Sequence, residues 1–242
     1  MSTHRIRILA AALLFSFASL SSAAPPAQTT AKPMKIGIIG AGHIGGTLAK
    51  LWVAAGHEVL ISSRHPDQLK PLADQLGAKA RVGTPREAAA FGDVVLVSIP
   101  YGAMPQVGKE LKDVLAGKIV LDTGNPYPAR DGEMANAARK KGAGPSSAEF
   151  FPGTRLVRAF NAINAGDLAS QAHRAGKLVA IPLAGNDAEA LKVAQQLVTD
   201  AGFEPVVVGG LDRAKDFDVG SKVYVRLLTA PELRKELGLP NP

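Results

Sequence analysis

Three glycines, Gly40, Gly42 and Gly45, stand at G-x-G-x-x-G spacing within "KIGIIGAGHIGGTLAKLWVAAGHEVLISSR", Lys35 to Arg64. An apolar run precedes them and an amphipathic stretch follows. The chemistry this order suits is the grip of an anion by main chain. Gly40 would permit a sharp turn out of a strand, and Gly42 would let backbone approach a diphosphate. Gly45 would let the next helix pack closely on the sheet. The free N–H groups and dipole of that helix then face the phosphates. The context on both sides of the glycines predicts dinucleotide binding rather than a bare tight turn. His43 lies inside the turn, where phosphates would favour a protonated imidazole.

The end of the second apolar run indicates which dinucleotide. A site that prefers NAD carries an acid there, bonded to the ribose 2′-hydroxyl. This chain has Ser62, Ser63 and Arg64, and no carboxylate until Asp67. Hydroxyls and a guanidinium suit a 2′-phosphate, so NADP is expected. The competing reading has Arg64 covering an adenine or pairing with Asp67.

These residues need a scaffold, and the hydropathy pattern supplies one. Strands are predicted over residues 34–39, 57–62, 79–82, 93–100, 118–127 (with its loop), 155–163, 177–185 and 203–210. Helices are predicted over 46–55, 66–77, 84–92, 103–115, 131–141, 146–151 and 187–202, and two helical pieces close the chain. The alternation implies repeated β-α-β units. The predicted fold is α/β, a Rossmann-type, doubly wound, mainly parallel sheet of about eight strands. It forms a single domain over residues 34–242.

Other residues fall at the ligand edge of such a sheet. Asn125, in "DTGNP", is a contact to the nicotinamide ribose or substrate, or simply an Asn-Pro turn. Ser98 is a ligand contact or a small residue required by packing. Tyr101 would cover a substrate ring or pack in the core. The five histidines show no metal-ligand spacing, so no metal is expected. No triad or carboxylate pair is evident, and no catalytic side chain is assigned.

The 242 residues are 46% hydrophobic and 20% charged, an ordinary globular composition. The absence of cysteine excludes disulfides, iron–sulfur clusters and thiol catalysis. The net charge of +7 fits an anionic ligand. Basic runs with interleaved aromatics are lacking, so nucleic acid is not an expected partner. The expected partner is a small redox substrate, and the C-terminal helices offer a possible homodimer face.

Residues 1–23 have the layout of a cleavable signal: Arg5 and Arg7, an apolar run from Ile8 to Leu20, then Ser21 and Ala23 before the cut. Residues 24–33 read as a proline-rich spacer. The expected location is periplasmic or secreted, with no membrane span after signal removal. Losing the signal would take the net charge from +7 to +5.

The opening stretch, with "VVLVSIPYGAM" and "RLVRAFNAINA", resembles the NADP-dependent reductases of the deazaflavin coenzyme F-420. It is also similar to the NADP-binding domain of six-transmembrane metalloreductases. The resemblance implies that Ala41, Gly42, His43 and Ile44 hold the pyrophosphate. It implies that Ser63 and Arg64 bind the 2′-phosphate, although Gln68 stands where some relatives place another basic residue. Ser98, Ile99 and Pro100 would lie under the ribose and nicotinamide, and Asn161–Ala165 beside the ring. Asn164 replaces a proline of some relatives. The implied chemistry is hydride transfer between NADP(H) and a flavin or deazaflavin, with Tyr101, Asn161 and Asn164 on the substrate side. An imine acceptor stays open, since pyrroline-carboxylate reductases share the N-terminal pattern. The alternative function is an exported, non-catalytic nucleotide-binding or scaffold protein, because NADP(H) is made inside the cell.

Overall fold

Strand β1 (Lys35–Ile39) is buried from Ile36 onward, and β4 (Val94–Val97) and β5 (Ile119–Asp122) are buried throughout. Continuous apolar runs of this kind arise where both sheet faces are covered. The computed structural model describes residues 32–240 and contains β2 (Glu58–Ser62), β3 (Ala80–Gly83), β6 (Arg155–Arg158), β7 (Ala180–Gly185) and β8 (Glu204–Gly209) as well. The predicted signal and most of the predicted spacer lie outside the described residues.

The eight strands form one sheet in the order β3-β2-β1-β4-β5-β6-β7-β8. All neighbours run parallel except β6 and β7, which pair antiparallel at Val157↔Gly185 and Arg158↔Ala184. The doubly wound, mainly parallel sheet is as expected. The antiparallel pair is its one departure.

Side chains alternate across the strands, so each strand serves two cores. Ile36, Ile38, Val94, Leu96, Ile119 and Leu121 pack on one face. Ile39, Val95, Val97 and Val120 pack on the other. A third cluster, with Val206, Phe217, Val223 and Leu233, covers the far end of the sheet. There the apolar residues Ala230 and Leu233 of helix Ala230–Leu237 are buried against their own sheet.

Helix α1 (His43–Ala54) carries Trp52, which is fully buried. Its indole N–H donates to the Leu197 carbonyl at 2.8 Å, and its ring meets Phe160 edge-on. Burial of such a side chain contributes roughly 3 kcal/mol, and here it clamps α1 to helix Ala188–Asp200. His57 closes the same side. Its Nδ1 accepts from the Met34 N–H at 3.1 Å, so Nε2 carries the proton and faces Asp200 at 3.0 Å.

Three expectations need correction. The strand predicted over 155–163 ends at Arg158, because Phe160 adopts a left-handed φ of 59° and turns the chain out of the sheet. The helix predicted over 103–115 is broken at Leu111 into Met104–Glu110 and Lys112–Leu115. A helix over Ala165–Gln171 was not anticipated. Its signal was present, since the Asn164 side chain caps the Asp167 N–H at 2.8 Å.

Strand β1 has β2 on one side and β4 on the other, so the chain reverses its winding direction there. The carboxyl ends of β1 and β4 therefore frame the crevice where doubly wound sheets take ligands.

Candidate functional site

Two glycines of the turn, Gly40 and Gly45, meet distinct steric demands. Gly40 has φ 98°, and a Cβ there would sit 2.3 Å from the Ser98 carbonyl oxygen. A Cβ on Gly45 would sit 2.2 Å from the Gly40 oxygen. Gly42 differs, because a Cβ there would meet nothing within 4 Å. Packing does not require that glycine, but a ligand approaching the backbone would. The Gly40 and Ala41 N–H groups both donate to the Ser62 carbonyl at 3.0 Å, which fixes the turn.

Helix α1 opens with no capping side chain and no acid in its first turn. The helices that begin after Thr84, Asn164 and Asp187 all carry side-chain caps. The first N–H groups of α1 are thus left without protein partners of that kind, as an anion site requires. At the end of β2, Arg64 and His65 are exposed, and Arg64 forms no ion pair among the described residues. The alternative pairing with Asp67 is not formed. Ser63 Oγ accepts from the His65 N–H at 3.0 Å and keeps its own O–H to donate. A diphosphate on α1 and a phosphate beside Ser63 and Arg64 fit these residues, so the donor set suits NADP.

Two assigned contacts are corrected. Ser62 is fully buried, and its Oγ donates to the Ile38 carbonyl at 2.8 Å. It builds the turn and offers no side chain to a ligand. Tyr101 is also fully buried, with its O–H donating to the Ala143 carbonyl at 3.1 Å. The one-turn helix Tyr101–Ala103 swings the ring into the core against Phe150. Burial pushes the phenol up to about 12. Tyr101 is a packing residue.

Beyond the turn, a cleft of about 520 Å³ runs along the carboxyl ends of β1, β4, β5 and β6. It brings together Gly42, His43, Ile44, Ser98, Ile99, Pro100, Asn125, Asn161 and Asn164. No carboxylate lines it among the described residues. The sequence reading missed Thr123, Gly124, Tyr127, Arg130, Phe160 and Tyr224 in its wall.

Behind the cleft lies a buried ionic network, also missed. Arg158 is fully buried and donates to Asp122 Oδ2 at 2.7 Å and Asp218 Oδ1 at 2.8 Å. It also donates to the Gly124 carbonyl. Burial opposes its charge, but Asp122 and Asp218 outweigh burial and hold the guanidinium pKa above its usual value. Asp218 Oδ1 accepts from Asn161 Nδ2 at 3.1 Å. Asn125 Nδ2 donates to the Asn161 carbonyl at 2.8 Å and to the Tyr224 hydroxyl at 3.4 Å. Asn125 therefore lines the cleft and cross-links its wall. A partial signal existed in the sequence: Asp122 is the one charge on the apolar strand β5, and a buried carboxylate needs a buried cation, which β6 supplies as Arg158.

At the rim, Asp131 organises Tyr127. Its carboxylate accepts from the Gly102 N–H at 3.1 Å and the Tyr127 N–H at 2.9 Å. Partial burial pulls Asp131 upward, but Arg130 and those two N–H groups hold it below the usual carboxylate range.

Comparison with known proteins agrees with this geometry. Residues 35–126 match the family described as NADP oxidoreductase, coenzyme F-420-dependent. The F-420-dependent NADP reductase of Methanothermobacter thermautotrophicus (strain Delta H) is 30% identical over 212 residues, covering 80% of this chain and 89% of that protein. The chain belongs to the F-420-dependent NADP reductase family. It is an NADP-dependent oxidoreductase. Another relative, metalloreductase STEAP3 of Rattus norvegicus, is 28% identical over 205 residues, 84% of this chain. This chain spans only 38% of that relative's length. Among solved structures, the hypothetical protein SMa0349 from Sinorhizobium meliloti superposes with a TM-score of 0.72 at 27% identity, covering 82% of this chain and 96% of that one.

Proposed function

We propose that this reductase exchanges a hydride between NADP(H) and a planar flavin-like ring, a flavin or deazaflavin, held in the cleft. Bound NADPH supplies the hydride from its nicotinamide. In this reading the N–H groups of Gly42–Gly45 hold the diphosphate, the Ala41 N–H being spent on the Ser62 carbonyl, and Ser63 and Arg64 hold the 2′-phosphate. Ser98, Ile99 and Pro100 face the ribose and nicotinamide, with Asn125 beside them. Asn161 and Asn164 stand on the acceptor side.

The observation that carries the reading is the make-up of the cleft. Its walls are apolar, amide, hydroxyl and basic side chains, with no carboxylate among the described lining residues. Such a site supplies alignment and exclusion of water, which is what transfer between two cofactor-like rings needs from a protein. The relatives named F-420-dependent NADP reductases support the acceptor class.

The test is anaerobic mixing with NADPH carrying deuterium at the transferred position, against a 5-deazaflavin and FMN. The expected result is NADPH oxidation with deuterium retained on the deazaflavin carbon. Absence of NADPH consumption with both acceptors, or loss of the label to solvent from the deazaflavin, rejects the proposal; from FMN the label exchanges at nitrogen and is not diagnostic. We also propose that the protein is exported, which rests on the signal-like residues 1–23. A mature protein beginning at Ala24 in an extracytoplasmic fraction is expected, and an intact Met1 in the cytosol would reject that part.

A further inference from the structure

The rim of the cleft holds two tyrosines whose hydroxyls touch. Tyr127 and Tyr224 lie 97 residues apart in sequence, and both line the cleft. Their single contact uses one O–H, so the pair has one O–H left over. Tyr224 is the inner member, being half-buried while Tyr127 is exposed. The Tyr224 oxygen also accepts from Asn125 Nδ2. When Tyr127 donates to it, that oxygen is filled by two donors, and its own proton has no acceptor among the described residues.

The position is held from several sides. Asn125 is fixed by the Asn161 carbonyl, Asn161 by Asp218, and Asp218 by Arg158. The residue after Tyr224, Val225, has a left-handed φ of 52° and donates its N–H to the Ala162 carbonyl at 3.0 Å. A β-branched residue in that conformation costs free energy. The segment keeps it where Tyr224 must face the cleft.

We propose that Tyr224 is a catalytic residue, donating a hydrogen bond to a carbonyl oxygen of the second reactant that is conjugated to the atom receiving the hydride. This rests on the flavin-like reading above, and it assigns the acceptor's chemistry: a planar heterocycle presenting a carbonyl edge to the rim. In the transfer NADPH is oxidised to NADP+ and the acceptor gains the hydride. The displaced π-electron pair moves onto the carbonyl oxygen, and the reduced acceptor carries the negative charge. Tyr224 keeps its proton and stabilises that charge, as a pre-placed donor does for a developing oxyanion. Burial raises the Tyr224 pKa well above that of a free phenol, so it stays neutral and able to donate.

The test compares wild type, Tyr224→Phe and Tyr127→Phe, using NADPH and 5-deazariboflavin without oxygen. For Tyr224→Phe the expected result is a kcat lowered about 100-fold, the scale for loss of one such donor. NADPH affinity and the KM for deazariboflavin should change by less than about threefold, marking an interaction made in the transition state. Tyr127→Phe should lose less, because Tyr224 retains its own O–H. The carbonyl stretch of bound deazariboflavin should move to higher frequency in Tyr224→Phe only. A wild type that reduces deazariboflavin beside an equally active Tyr224→Phe overturns this assignment and leaves the hydride reading standing. Parallel loss of NADPH affinity and kcat in Tyr224→Phe also overturns it, since that pattern marks a structural role. A wild type that reduces no flavin-like acceptor overturns both.

Discussion

Replacing Arg64 with alanine is expected to weaken NADPH binding by about 10- to 100-fold and to leave NADH binding nearly unchanged. A hydrogen bond to a charged group contributes about 1.5–3 kcal/mol, and each 1.4 kcal/mol is about tenfold in affinity. The side chain is exposed and forms no ion pair among the described residues, so no native contact is lost with it. Its loss should therefore register on the ligand rather than on the fold. Because the site is open to solvent, salt should shrink the effect. Arg64→Lys should fall between, as a point charge without the planar fork. Parallel fluorescence titrations with the two coenzymes measure the difference. Equal weakening of both would remove the 2′-phosphate assignment.

The second large effect concerns Arg158. Arg158→Ala is expected to destabilise the protein by about 3–5 kcal/mol, the usual cost of removing one partner from a buried ion network. Asp122 would be left fully buried and Asp218 largely so, without the cation that joins them. The turn after β5 would loosen too, since Arg158 holds the Gly124 carbonyl while Asp122 Oδ1 holds the Gly124 N–H at 2.7 Å. In thermal unfolding the change corresponds to a fall on the order of 10 °C for a domain of this size. Arg158→Met with Asp122→Asn should recover part of the loss, because one stranded charge goes with its partner. A single Arg158→Ala variant that unfolds within about 1 kcal/mol of wild type would show that the network contributes little.

Much of the scaffold could be read from the chain alone, for reasons visible in particular residues. Strands β1, β4 and β5 are buried on both faces, so their apolar runs are continuous. The three glycines could be interpreted from their spacing between an apolar run and an amphipathic stretch, although Gly40 is required by the distant Ser98 carbonyl and Gly42 by no protein atom. Side-chain direction was harder. Ser62 and Ser63 are adjacent, yet only Ser63 stands clear of the core, because β2, buried on both faces, ends at Ser62. Tyr101 was misplaced because its direction depends on a single turn of helix after Pro100 and on a helix beginning 42 residues later. Tyr224 was missed for another reason. It reaches Asn125 across 99 residues from a segment with no regular period, and only the closed fold brings them together. The left-handed Phe160 that ends β6 had no local signal either, since an aromatic residue there reads as strand.

The account depends most on recognition of the extra phosphate by Ser63 and Arg64 beside a diphosphate on α1. Its most direct test is the calorimetric titration of the wild-type protein with NADPH and with NADH under matched low salt. The predicted result is NADPH binding well below the millimolar range, at least about tenfold tighter than NADH, a gap of about 1.4 kcal/mol. NADH binding as tightly as NADPH, or no binding of either, would contradict it.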